Sequence, residues 1–489
     1  MAAESQTALS PPGRPVRRRW YLLASLALLV PCFWQPRIQA GDLSSHIYNS
    51  WLAQLIESGR VDGLMIVRQT TNVLFDLLLS VLFRVFGAEW AQRAAVSIAV
   101  LVFVWGAFAF ISKAAGRPAW HFIPCIAMLA YGWVFHMGFF NFYLGLGLCF
   151  WAMALVWEGK GPATALAAGL LLLAYTAHAL PVLWTLGLIA YVWIARRVSQ
   201  RIRARILAGF LMLMGAVHLA VNRTLVSHWS PTQISLSTGA DQVWVFDGKY
   251  YVVLTGLLLL WGSLFLELLH RRSGREVIAS LPFQLCVLSA SAVFILPTAV
   301  LIPGFNHSLV YIAERMSLGV GVCMCALLDM IQPRTVQRYG LLLLALVFFA
   351  FLFRDERALN EFEDRMDGLI AQLPAGGRVV SPLVDPALRI NALTHMVDRA
   401  CLGRCYSYAN YEPSTAQFRI RAVSENAVVV ANYRDSWNMQ NGNYVVRERE
   451  LPLFKIVVDR AGRLAYEDLK AGVLCGSTLW GVLRSKPNS

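Results

Sequence analysis

The chain has 489 residues, of which 57% are hydrophobic and 15% charged, and its mean hydropathy is +0.53. This balance excludes an ordinary soluble globular protein and indicates a protein of the lipid bilayer. The formal net charge of +14 does not indicate a nucleic-acid partner, because much of it lies in short loops between apolar runs.

Basic clusters predict the orientation of the chain. Cytoplasmic loops of membrane proteins are rich in Lys and Arg. Four clusters are therefore placed on the cytoplasmic side: 14–20, 195–205, 270–275 and 333–338. Residues 1–19 are predicted to be a cytoplasmic tail, followed by an uncleaved first span rather than a signal peptide. The preference for Arg over Lys favours a bacterial protein, and hence the bacterial cytoplasmic (inner) membrane.

Apolar runs of the length that crosses a bilayer, about 17 to 25 residues, recur over residues 20–353. The predicted spans are 20–36, 69–87, 93–112, 119–137, 138–157, 162–195, 204–222, 250–269, 279–301, 308–331 and 338–353. The run 162–195 is interpreted as one kinked span, or as two pieces of which one does not cross. The prediction is an α-helical polytopic membrane protein with about eleven transmembrane helices.

The first outer loop, 37–68, begins with the motif GDLSSH, which contains Asp42 and His46. Apolar residues from Ser45 to Ser58 then recur at helical spacing, which predicts an amphipathic helix lying flat in the outer interface. Tyr48 and Trp51 are expected at headgroup level. An alternative role for Asp42, or for Ser44, is to cap this helix.

A first span is followed by the loop motif GDLSSH, an amphipathic helix and the turn FGAEWAQRA. This order resembles the N-terminal module of GT-C glycosyltransferases. These polytopic enzymes use polyprenyl-phosphate sugars and include aminoarabinose transferases, protein O-mannosyltransferases and oligosaccharyltransferase catalytic subunits. The resemblance covers residues 20–112, and the later spans and outer tail match in architecture. It implies that Asp42 is the catalytic acidic residue of the first outer loop. The loop has no Asp-x-Asp or Glu-x-Asp pair, so no cofactor is certain, although a divalent metal remains an alternative.

Sugar transfer from a lipid phosphate needs a base for the acceptor hydroxyl, and a carboxylate at Asp42 suits this role. Direct displacement would invert the anomeric centre. The leaving phosphate needs positive charge, for which Arg315 is the best candidate because its guanidinium matches a phosphate. His46 and His307 are further donor-binding candidates. His46 can alternatively be a solvated interfacial residue.

Other polar residues are predicted to line the substrate cavity, each with a structural alternative. The candidates are Glu314, Asn306, His136, His178 and Asp241. Ionisable groups at membrane depth are costly and therefore suggest function. The alternatives are that Glu314 pairs with its neighbours, that the histidines form hydrogen bonds between helices, and that Asp241 is a solvated loop residue.

Residues 354–489 are predicted to form a small extracytoplasmic α/β domain. The helix 355–373 precedes three predicted strands at 378–384, 426–433 and 454–459. Cysteines at 401, 405 and 475 permit one disulfide in an oxidising compartment.

Three classes of function fit these patterns. A glycosyltransferase would take a polyprenyl-phosphate sugar donor and a lipid, glycan or protein acceptor. A transporter or flippase of lipid-linked sugars usually has internal repeats and broken midplane helices, and no repeat is visible here. The third class is a noncatalytic membrane scaffold. Motifs for nucleotide binding and zinc proteolysis do not occur in the sequence.

Overall fold

The structure is a computed structural model that describes residues 18–159, 161–306, 308–459 and 461–479. Its helices are α1 Arg18–Leu29, α2 Leu43–Glu57, α3 Leu74–Ala115, α4 Ile123–Ala130, α5 Trp133–Met137, α6 Phe140–Val156, α7 Gly161–Ala177, α8 Ala179–Ala195, α9 Gln200–Thr224, α10 Tyr251–Arg271, α11 Gly274–Ala279, α12 Leu281–Ile295, α13 Ile312–Leu328, α14 Thr335–Ile370, α15 Met396–Ala400, α16 Tyr411–Thr415 and α17 Tyr433–Gln440. Its strands are β1 Leu64–Ile66, β2 Val226–His228, β3 Ala299–Leu301, β4 Arg378–Val380, β5 Leu383–Val384, β6 Tyr406–Ser407, β7 Ile420–Ala422, β8 Leu453–Val458, β9 Leu464–Asp468 and β10 Thr478–Leu479. The fold is predominantly helical.

Four helical segments in the described ranges are long and apolar enough to cross a membrane. They are Leu74–Ala115, Gln200–Thr224, Gly248–Arg271 and Thr335–Ile370. Four shorter apolar helices, α6, α7, α8 and α12, have 15 to 17 residues. The helical membrane-protein character is thus supported, whereas the count of eleven spans is not established by these helices.

Several predicted spans differ from the helices observed. The spans 69–87 and 93–112 are both part of α3, which is interrupted at Gly87 by a non-helical backbone (φ 76°, ψ 173°). The run 119–137 does not form one continuous helix, because it is divided into the short helices α4 and α5, of 8 and 5 residues. Gly132, which adopts an extended conformation before α5, separates them.

The long run 162–195 divides into two helices at His178. This residue is extended (φ −164°, ψ 132°), and its Nδ1 accepts a hydrogen bond from the Leu180 amide at 3.1 Å. Pro181 lies in the first turn of α8, where a missing amide proton removes no intrahelical hydrogen bond. The cap and the proline together explain why a new helix begins here.

The predicted domain boundary between residues 353 and 354 falls inside α14, which is one continuous helix. The C-terminal part of α14 buries one apolar face. The buried residues are Leu359, Phe362, Met366, Leu369 and Ile370. The C-terminal segment 354–489, called the tail below, is therefore connected to the preceding apolar segment by a rigid helix rather than by a flexible linker.

The main sheet of the tail has the strand order β6-β4-β8-β9. Strand β4 is parallel to β6 and β8, and β9 is antiparallel to β8. The predicted strand over 426–433 is wrong: Asn426 Oδ1 accepts hydrogen bonds from the amides of Val428 and Val429, both at 2.9 Å, which holds this segment as a loop. Its valines are nevertheless buried.

The tail packs directly on the first loop. Strand β1 pairs antiparallel with β7, with Leu64 opposite Ala422 and Ile66 opposite Ile420. The prediction that Tyr48 lies at headgroup level is wrong, because its side chain is fully buried and its hydroxyl accepts a hydrogen bond from the Ser407 amide at 3.1 Å. The apolar stripe of α2 therefore faces protein rather than lipid.

Candidate functional site

Backbone hydrogen bonds fix the loop that carries Asp42. The Gly41 and Asp42 amides donate to the carbonyls of His136 and Met137, at 2.8 and 3.1 Å. His136 Nδ1 also donates to the Gln39 carbonyl at 2.9 Å. His136 is completely buried and is not among the residues that line the cavity described below; its hydrogen bond holds the loop that carries Asp42.

Asp42 occupies the position that precedes α2, yet within the described structure its side chain makes no capping hydrogen bond. The carboxyl group instead lines a cavity of about 1220 Å³. About a quarter (24%) of the side chain is exposed. The capping alternative for Asp42 is therefore not the arrangement found here.

The same cavity collects most of the predicted site residues. Its walls include Asp42, His46, His178, Glu314 and Arg315. These residues come from the first loop, the α7–α8 junction and the start of α13. The cavity thus joins parts of the chain that are far apart in sequence.

Asn306 and Asp241 are not among the residues that line this cavity. Asn306 lines a cavity of about 470 Å³ and donates a hydrogen bond to the Thr415 carbonyl at 3.3 Å. Asp241 is buried and accepts a hydrogen bond from Ser317 Oγ at 3.1 Å. Burial raises the pKa of Asp241 to about 6, although nearby Arg389 opposes this effect. His307 lies outside the described residues.

The cavity is lined by both apolar and polar side chains. Apolar lining residues include Phe139, Phe142, Leu180, Leu183, Ile302 and Leu309. Polar lining residues include Asp42, Arg315, Arg389, Asn391, Thr394 and His395. An amphipathic ligand would match this mixed lining, since its apolar part would be removed from water while its polar part forms hydrogen bonds.

Arg315 is positioned by aromatic and histidine neighbours. Its guanidinium carbon lies 3.8 Å from the centre of the Phe139 ring, and Nη1 lies 3.5 Å from His178 Nε2. Glu314 accepts a hydrogen bond from the Thr298 hydroxyl, which agrees with its alternative role as a residue paired with a neighbour. The stacked guanidinium of Arg315 presents positive charge to the cavity.

His46 is part of a buried ion pair rather than a solvated interfacial residue. Its Nδ1 lies 2.6 Å from Asp76 Oδ1, and only 11% of its side chain is exposed. Burial disfavours the charged imidazole, but the carboxylates of Asp76, Glu412 and Asp42 outweigh it and raise the pKa of His46 to about 10. His46 therefore brings a positive charge to the wall of the cavity.

Two residues of the tail were missed from sequence: Arg389 and His395. Arg389 Nη1 donates to the carbonyls of Asp241 and Trp244 at 2.7 and 2.6 Å. His395 is paired with Asp398, three residues later in the chain. This His-x-x-Asp spacing was the available signal, but irregular segments on both sides of it gave no indication that the tail reaches the first loop.

Within the described ranges, no group of three or more His, Cys, Asp or Glu side chains is arranged to hold a metal ion.

No family model matches the sequence, and searches of curated proteins and of solved structures give no match. The class of the protein is therefore defined by its own features. It is a predominantly helical protein with helices that are long and apolar enough to cross a membrane. It also has a large cavity that is lined by residues of the first loop, the starts of α6, α8 and α13, and the tail.

Proposed function

We propose that this protein is a GT-C-like membrane glycosyltransferase that transfers a sugar from a polyprenyl-phosphate donor to an acceptor hydroxyl. The main support is that Asp42 and Arg315 line one cavity of about 1220 Å³. A base and a phosphate-binding cation are the two groups that this transfer requires.

Each group has a defined role in the proposed reaction. Asp42 takes the proton of the acceptor hydroxyl while the acceptor oxygen attacks the anomeric carbon of the sugar. The bond between this carbon and the phosphate oxygen breaks, and the phosphate leaves with the electron pair. Arg315 stabilises the negative charge of the leaving phosphate. Because attack and departure occur on opposite faces, the anomeric configuration inverts.

The mixed lining of the cavity supports a lipid-borne donor. The apolar side chains of Phe142, Leu183 and Ile302 suit the polyprenyl chain, and the polar side chains suit the phosphate and sugar. Tyr433 and Trp437 of α17 also line the cavity. Their aromatic rings are suited to contact a sugar or acceptor at the water-facing side.

The proposal includes the finer topology predicted from sequence: about eleven spans in the bacterial inner membrane, with residues 354–489 on the outer side. A disulfide between Cys401 and Cys405 supports an oxidising location for the tail. On that side, a lipid-linked donor in the membrane and a water-exposed acceptor can meet at Asp42.

The decisive experiment compares Asp42→Asn with wild type in membranes supplied with labelled polyprenyl-phosphate sugars. The rate should fall by about 10²- to 10⁴-fold, the usual contribution of a general base, with donor binding unchanged. Asp62→Asn is the matched control, because Asp62 is an exposed carboxylate of the same loop. Equal transfer by D42N would refute the assigned base. Absence of transfer by wild type would favour a transporter or flippase, to be tested by movement of labelled donor across vesicles.

A further inference from the structure

His395 lies between two carboxylates at the wall of the cavity. Its Nδ1 lies 3.0 Å from Asp398 Oδ2, and its Nε2 lies 3.8 Å from Asp42 Oδ1. The side chains of His395 and Asp398 are 8% and 2% exposed, so this pair is buried beneath the cavity surface. Nothing in the predicted catalytic scheme uses either residue.

We propose that His395, held by Asp398, is a positioning residue that keeps Asp42 ionised and correctly oriented as the base. This inference rests on the proposed function and deepens it. His395 faces one carboxylate oxygen of Asp42, which leaves the other oxygen for the acceptor hydroxyl. The arrangement assigns a role in catalysis to the tail.

Hydrogen bonds anchor the pair to the helix that follows Asp42. Asp398 Oδ1 accepts a hydrogen bond from the Ser407 hydroxyl, and the Ser407 amide donates to the Tyr48 hydroxyl at 3.1 Å. Tyr48 belongs to α2, which begins immediately after Asp42 and packs against α15. The carboxylate, the imidazole and Asp398 therefore share one rigid support.

The charges that face His395 favour its imidazolium form. Burial disfavours the charged ring, but Asp398, Asp42 and Glu412 raise its pKa above the ordinary value. The neutral ring of Tyr411 covers another side, with ring centres 5.4 Å apart. An imidazolium next to Asp42 stabilises the carboxylate form, which must be present before the acceptor proton is transferred.

The first test is His395→Gln, which removes the positive charge but keeps a polar side chain. With saturating donor, kcat should fall by about 10- to 100-fold, whereas the KM for the donor should change by less than about 2-fold. The acidic limb of the rate profile should move to higher pH, because the positive charge that faces the carboxylate is lost. His270→Gln, at an exposed position, is the control.

A second variant covers the case in which H395Q does not fold. Asp398→Asn keeps the size of the side chain but removes the anion that holds the imidazole, and it should move the acidic limb in the same direction. A lower rate with an unchanged pH profile in every folded variant would indicate a merely structural role and overturn the inference.

The outcomes also separate this inference from the proposed function. If wild type transfers sugar and D42N does not, but H395Q and D398N behave like wild type, only the role of His395 fails. If wild type transfers no sugar, the proposed function and the role of His395 both fail.

Discussion

Gly138 lies against the backbone of Asp42: a Cβ atom at position 138 would be 2.4 Å from the Asp42 nitrogen. Gly138 also has a left-handed backbone (φ 83°), which other residues adopt only at a cost. The candidate base is thus fixed by a position that only glycine fills without strain.

We predict that Gly138→Ala displaces Asp42 from its position in the cavity wall. Transfer should fall by about 10²-fold, because a displacement of about 1 Å is enough for such a loss. Gly116→Ala is the matched control, since Gly116 has a similar φ of 72° but open space around a Cβ. Both variants should lose about 1 kcal/mol of stability from the backbone conformation. Equal activity of G138A and wild type would contradict this function of Gly138.

Arg315→Lys tests the phosphate site. Lys keeps the positive charge but loses the planar fork and the stacking on Phe139. The KM for the lipid donor should rise by about 10-fold or more, as expected when a hydrogen bond to a charged group is lost. Donor titrations measure this effect. Arg357→Lys, at an exposed arginine paired with Glu361, is the control and should leave KM unchanged. A wild-type KM in R315K would place the phosphate elsewhere.

How much of this site follows from sequence depends on the type of signal. Asp42 was predicted from the resemblance of its loop to GT-C glycosyltransferases, and Arg315 was predicted because an ionisable residue at the start of an apolar run can be recognised in the sequence. The periodicity of α2 predicted its apolar face but not that Tyr48 would face protein, since lipid and protein interiors are equally apolar. His395 was missed because its approach to Asp42 depends on tertiary contacts such as the pairing of β1 with β7.

His46→Gln tests the buried ion pair through stability. A histidine whose pKa is raised in the fold stabilises it fully below the unfolded pKa of about 6.5. With a folded pKa of about 10, this contribution is lost as the pH rises between these values. The melting temperature of H46Q should be lower than that of wild type at pH 6, and the difference should diminish by pH 10. A difference that does not vary with pH would contradict the ion pair with Asp76.

The Cys401–Cys405 disulfide provides a test of the side on which the tail lies. Replacing both cysteines by Ser should cost about 2 kcal/mol, the value expected when so short a loop is no longer closed. Reductant should lower the melting temperature of wild type but not that of the double variant, in which Cys475 remains as the internal thiol control. Because both side chains are buried in the fold, labelling is measured on protein taken from cells and unfolded in denaturant, where a maleimide should label positions 401 and 405 only after reduction. Labelling of both without reduction would show free thiols and remove this support for an oxidising compartment. Because His395 of the tail lies only 3.8 Å from Asp42 of the first loop, a tail on the oxidising side requires the first loop to be there too.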